Sequence, residues 1–241
     1  MPTITIIHTA DLHGKLHGPA STALAHLIGQ HPNALVLDSG DAVGVGNLNW
    51  LRDNRTLRTM ASIGYDAMCI GNRETHVWAR LMASKLGPPP FPMLCANLQP
   101  QDSVPVQPYL ITEKAGTRVA VLGLTVPMVR PGSWPTRLGS LVFEDPIAAA
   151  RAHAPALRQQ ADLLILLTHL GLELDRRLAE EVPGIDLILG GHDHVATHTP
   201  VPAGSTVIIH PGANGRRAAI VKIDVSTAGA KLVSAELAPL Q

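Results

Sequence analysis

Six times along this chain a short apolar run ends in a cluster of aspartate, asparagine or histidine. Residues 3–7 lead into Asp11-Leu12-His13-Gly14, 34–37 into Asp38-Ser39-Gly40-Asp41, and 67–70 into Gly71-Asn72-Arg73-Glu74. Further on, 163–167 lead into Thr168-His169-Leu170-Gly171, 185–189 into Gly190-Gly191-His192-Asp193-His194, and 206–209 into His210-Pro211-Gly212. The runs are short, β-branched or leucine-rich, and nearly continuous in apolar character. That pattern suits strands buried on both faces. Runs at 93–95 and 119–124 read the same way. Where such strands alternate with helices, the fold is α/β with a largely parallel sheet. Parallel strands bring their C-terminal ends to one edge, and ligands bind there. Clusters scattered over the chain are therefore expected to converge.

The intervening segments read as helices. One is capped by Ser21 or Thr22 and runs to Gly29; others cover 48–62, 74–86, 146–160 and 174–181. Pro146 suits a first helical position, while Pro155 is expected to kink or end its helix. Residues 218–225 and 231–237 read as two further strands, added antiparallel. No composition shift marks a linker, so residues 1–241 are read as a single domain. The proline-rich stretch 127–135, with Arg130, Trp134 and Arg137 in or beside it, is long enough for a functional loop.

Composition narrows the function. The chain has 19 basic and 19 acidic residues, which argues against a basic nucleic-acid face. Cys69 and Cys95 form no CxxC pair, so neither a disulfide framework nor a thiolate zinc site is expected. The N-terminus lacks the pattern of a signal peptide, and no apolar run is long enough to span a membrane. A cytoplasmic location and no membrane partner are the expectation.

Histidine is the unusual count, at 12. Asp11, His13, Asp41, Asn72, His169, His192 and His194 together offer carboxylate, imidazole and amide donors without sulfur. Such a set suits Mn, Fe, Zn or Co. Seven donors exceed what one catalytic ion uses, and fit two divalent ions sharing a carboxylate. Two ions clamp the attacking and leaving oxygens of a displacement at phosphorus. A small phosphorylated substrate is the expected partner.

These motifs resemble those of the calcineurin-like metallophosphoesterases, in particular the N-terminal catalytic domain of the 5′-nucleotidase group. The family order is Asp-x-His, Gly-Asp, Gly-Asn-His-Glu, a lone His, then Gly-His-x-His. Here it reads Asp11-Leu12-His13, Gly40-Asp41, Gly71-Asn72-Arg73-Glu74, His169 and Gly191-His192-Asp193-His194. The stretch from His169 to His194, Ala96-Asn97 and Gly123-Leu124-Thr125 are similar to that group as well. The resemblance implies a four-layer αββα sandwich. It implies one metal on Asp11, His13, Asp41 and His194, and another on Asp41, Asn72, His169 and His192. A hydroxide bridging the ions would attack phosphorus.

Two departures shape the expected activity. Arg73 stands where the family has a histidine that stabilises the transition state or protonates the leaving oxygen. Arginine binds phosphoryl charge but cannot give up a proton near neutral pH. If Glu74 begins a helix, Arg73 and His76 share a face. Arg73 would then bind phosphate and His76 supply the proton. Secondly, nucleotidases of this group carry a C-terminal domain with an aromatic clamp for the base, and the chain is read as lacking it. Stacking would fall to Trp50, Trp78 or Trp134. A phosphomonoesterase, with nucleotides among its candidate substrates, is the leading expectation. A phosphodiesterase, or a metal-binding regulatory module without turnover, are the alternatives. Asp38 reads as either a partner behind the ligands or a cap. Asn97 and His210 read as either substrate-side contacts or ordinary turn residues. Glu74 reads as favouring a helix N-terminus, and His8 as needing no special role.

Overall fold

The computed structural model describes residues 2–46, 54–76, 78–99, 104–128, 141–226 and 229–241. Two six-stranded sheets carry the fold. The first joins, in spatial order, β12 (Gly229–Pro239), β11 (Arg217–Ser226), β1 (Thr3–Thr9), β2 (Leu35–Asp38), β3 (Ala67–Cys69) and β4 (Met93–Leu94). The second joins β5 (Tyr109–Lys114), β6 (Thr117–Thr125), β7 (Leu163–His169), β8 (Leu187–Gly190), β10 (Thr206–Ile209) and β9 (Val201–Ala203). Strands β1 to β4 pair in parallel, as do β6, β7, β8 and β10. The tail hairpin β11–β12 joins antiparallel to β1.

Strand periodicity explains the layering. Side chains alternate faces along a strand, so a doubly buried strand feeds two cores. Ile4, Ile6, Leu35 and Leu37 meet Val121, Ile165, Leu167 and Leu189 between the sheets. The intervening residues, such as Ile7, Val36 and Met68, face an outer core shared with helices α1 (Pro19–Gln30), α2 (Asn54–Ile63) and α3 (Ala79–Leu86). On the far side Leu122, Leu164 and Ile188 pack with helices α4 (Pro146–Gln160) and α5 (Leu172–Glu181). The result is an αββα sandwich.

Several sequence expectations shift. The two sheets match the sandwich that the resemblance implied, where the apolar runs alone gave only a largely parallel sheet. Helix α3 begins at Ala79, not at residue 74, so Arg73 and His76 share no helical face. Helix α1 starts with Pro19 at its first turn; the Ser21 and Thr22 hydroxyls donate to Gly18 O and cap nothing. Helix α4 passes through Pro155, which lies on its exposed side. Among the described residues no helix is long and apolar enough to cross a membrane. Trp50, Arg130, Trp134, Arg137 and the first part of the helix expected at 48–62 lie outside the described residues.

Candidate metal centre

The strand ends of both sheets meet at one edge, where β7 ends on His169 and the turns after β1, β2, β3 and β8 carry the other six donors. Two groups form. Around Asp11 Oδ1 lie His13 Nε2 and His194 Nε2, each at 3.6 Å, and His13 Nε2 is 3.5 Å from Asp41 Oδ2. Around His169 Nε2 lie Asn72 Oδ1 at 3.1 Å, His192 Nδ1 at 3.3 Å and Asp41 Oδ1 at 3.5 Å. Asp41 thus turns one oxygen to each group. Metal–ligand bonds of about 2.1 Å around one ion imply donor–donor edges of about 3.0–3.5 Å, close to these separations.

The hydrogen bonding fits cations at both places. His169 Nδ1 donates to the Ser39 carbonyl at 2.8 Å, because a carbonyl can only accept. In the neutral ring that leaves Nε2 with a bare lone pair, aimed at the oxygens of Asp41 and Asn72. Lone pairs facing one another repel unless a positive charge lies between them. Asp11 Oδ1 and His13 Nε2 are likewise buried with no hydrogen-bond partner.

The backbone is bent to deliver these groups. Asp11, His13, Asp41, His192 and His194 all have positive φ, between 48° and 89°. Each such residue stores about 1–3 kcal/mol of strain, which surrounding contacts must offset. Close approach adds a demand at Gly71, where a Cβ would come within 2.3 Å of Asp41 Oδ1.

Buried polar groups supply the offsetting contacts. Glu74, fully buried, accepts from Asp41 N–H and Gly71 N–H at 2.8 Å and from Val43 N–H at 3.1 Å. It joins the turns after β2 and β3 and begins no helix, correcting its expected role. Burial and the Asp41 charge push its carboxyl up, against the Val43 and Gly71 amides. Asp38 accepts from Thr9 Oγ1 at 2.6 Å and Gly40 N–H at 2.8 Å, so it caps the turn into Asp41. Lys85, also buried, donates to the carbonyls of Gly46 and Arg73. His8 lies buried in β1 with Nε2 2.7 Å from Ser39 Oγ.

Arg73 leans over the centre. Its Nε is 3.5 Å from Asp41 Oδ2, Nη1 donates to Gly44 O at 3.2 Å, and a third of the side chain is exposed. His76 is buried; its Nδ1 accepts from Trp78 N–H at 3.2 Å, and the ring stacks on the exposed Trp78 indole at 5.8 Å. Asn97 is buried, and its amide is engaged by Thr125 N–H, Thr125 O and Glu144 O. His210 is buried behind the ligand turn, with Nε2 2.7 Å from Asp175 Oδ2. Sequence reasoning missed Asp175. The signal was available, since Asp175 shares its helix face with Leu178 and Val182, both buried.

Charge is distributed to match. The Asp11 and Asp41 carboxylates push the His13 ring up to about 9. Burial would raise Asp41, but His13, His169 and the Arg73 N–H outweigh it and lower it. Burial, with His169 beside it, lowers His192 and favours its neutral, ligating form. Burial opposes a charge on His210, yet Asp175 and Asp193 push it up to about 9.

A two-sheet sandwich with carboxylate, imidazole and amide donors gathered at its strand ends defines a candidate metallohydrolase. The calcineurin-like phosphoesterase model matches residues 4–196, and the chain belongs to that family. It is 29% identical over 259 residues to 5′-nucleotidase of Rattus norvegicus, covering 91% of this chain and 44% of that protein. It is 28% identical over 235 residues to snake venom 5′-nucleotidase of Gloydius brevicauda, covering 85% and 39%. The 5′-nucleotidase precursor of Thermus thermophilus superposes with a TM-score of 0.81 at 23% identity, covering 98% of this chain and 54% of that one. The chain thus spans about two fifths of the length of these curated relatives.

The buried carboxylate and the raised histidine can each be tested. Glu74→Gln keeps the shape but turns an NH2 group toward main-chain donors. It should cost about 1–3 kcal/mol in urea denaturation, the cost of buried donors left unpaired; an unchanged midpoint would contradict the three-amide role. The His13 charge contributes to folding fully below about pH 6.5 and is lost as pH rises through about 9. A cation must displace that proton, so Mn affinity measured by calorimetry should rise about tenfold per unit between about pH 7 and 8. A flat profile would show that His13 is not a ligand.

Proposed function

We propose that this chain hydrolyses phosphomonoesters at a pair of divalent cations. The observation that carries the reading is the Asp41 carboxylate, which shows one oxygen to each of two donor groups. One ion would sit on Asp11, His13, Asp41 and His194, the other on Asp41, Asn72, His169 and His192. When bound, two such ions supply an acidified water as nucleophile and positive charge for the phosphoryl oxygens. Mn, Fe, Zn or Co suits these donors.

The protein's own groups orient the ester. Arg73, one-third exposed above Asp41, offers a guanidinium for two phosphoryl oxygens, a geometry that suits arginine. It stays charged, so the leaving oxygen needs another proton source. His76 fills that role in this reading: with Nδ1 accepting from Trp78, a neutral ring carries its proton on Nε2. The relatives named as 5′-nucleotidases make nucleoside monophosphates the first substrates to try. Trp78, 48% exposed, offers a ring face for a base.

Purified protein with Mn should hydrolyse an aryl phosphate, chelator should abolish turnover, and Asp41→Asn should remove nearly all of it. Arg73→Ala should lower kcat about 10²–10³-fold, the usual cost of one charge-stabilising donor. Two bound ions with no turnover on any phosphoester would favour a binding module instead. A separate test addresses His76: alanine there should slow an alkyl phosphate far more than an activated aryl phosphate. Equal losses on both would remove the proton-donor role.

A further inference from the structure

Asp193 lies between the two donor histidines of one turn, yet it faces away from the centre. Its Oδ2 accepts from Leu172 N–H at 2.8 Å, at the N-terminus of α5, whose own cap residue, Gly171, brings no side-chain acceptor. Its Oδ1 accepts from Val195 N–H at 3.2 Å and lies 3.4 Å from His210 Nδ1. The other nitrogen of His210 meets Asp175, on the first turns of the same helix, at 2.7 Å. Gly190 covers this pair so closely that a Cβ would come within 2.1 Å of His210 Nε2. Helix α5 therefore grips the turn at two points, by a main-chain amide and through the buried His210. His192 and His194, on either side of Asp193, have φ of 89° and 61°, a conformation that external contacts must maintain.

We propose that Asp175, His210 and Asp193 form a positioning relay that fixes the turn carrying His192 and His194, and so sets the affinity of both metal sites at once. The inference rests on the two-cation reading given above. It differs from it in locating control of metal retention in the buried Asp175–His210 pair and the part-exposed Asp193, none of which is among the seven donors. Carboxylates flank both nitrogens of His210, a contact pattern that one donor and one acceptor cannot satisfy. Removing the middle group leaves Asp193 without its counter-charge and Asp175 buried without a partner.

The test measures Mn binding by electron paramagnetic resonance and thermal unfolding of the metal-free protein, on wild type, His210→Gln and Asp193→Asn. Both substitutions keep polar groups of similar size, so at least one folded variant is expected. Wild type should bind two ions. Each variant should bind both about 10–100-fold more weakly, the usual effect of losing an outer partner. The metal-free melting temperature should stay near that of wild type for Asp193→Asn, whose side chain is one-third exposed, and fall for His210→Gln, which leaves Asp175 buried without its partner. At saturating Mn, kcat and KM on an aryl phosphate should return to wild-type values, which marks positioning and not a direct role. Unchanged Mn affinity in both variants, or a lowered metal-free melting temperature with unchanged affinity, would overturn the relay alone. A wild type that binds no Mn would overturn the two-cation reading with it.

Discussion

The Asp41 carboxylate has to face two histidine-bearing donor groups at once while the carboxyl groups of Asp11 and Glu74, both buried, stand close by. Unscreened like charges in a buried site are costly. The protein answers with main-chain amides, with histidines against both oxygens and with the Arg73 guanidinium. The residual imbalance is one that cations relieve. Positive φ at five donors follows from the same demand, since each turn must bend sharply to aim its side chain into one small volume.

The sandwich provides the stiffness this requires. Its inter-sheet core is built from residues that alternate with those facing the helices, so each strand is held on both sides. A donor at the end of such a strand inherits its rigidity. Buried polar groups outside the donor set, such as Glu74, Lys85 and the Asp175–His210 pair, then fix the turns from behind.

Much of this was legible in the sequence because the apolar runs are short, dense and end in chemistry-bearing residues. Strand β10 and helix α4 fall where periodicity and Pro146 put them. The division into two sheets was not readable from apolar runs alone, since a doubly buried strand looks alike in either sheet. Only the family resemblance carried it. Strand β5 escaped because Tyr109–Lys114 is an edge strand, none of whose residues is buried, so no dense apolar run marks it. Strand β9 has three residues, one of them Pro202. Glu74 misled for a physical reason: an acidic residue before an apolar periodic stretch signals a helix start, but here the carboxylate is bonded to three main-chain amides across two turns. The seven donors were recognisable as residue types. Which oxygen of Asp41 faces which histidine became visible only in three dimensions.

The central claim is that one carboxylate serves two cations. X-ray anomalous scattering from Mn-loaded crystals tests it most directly. The account predicts two peaks about 3.5–4 Å apart, the spacing of paired catalytic ions, with one Asp41 oxygen nearest each peak or a single oxygen between them. One peak, or two peaks of which Asp41 touches only one, would contradict it.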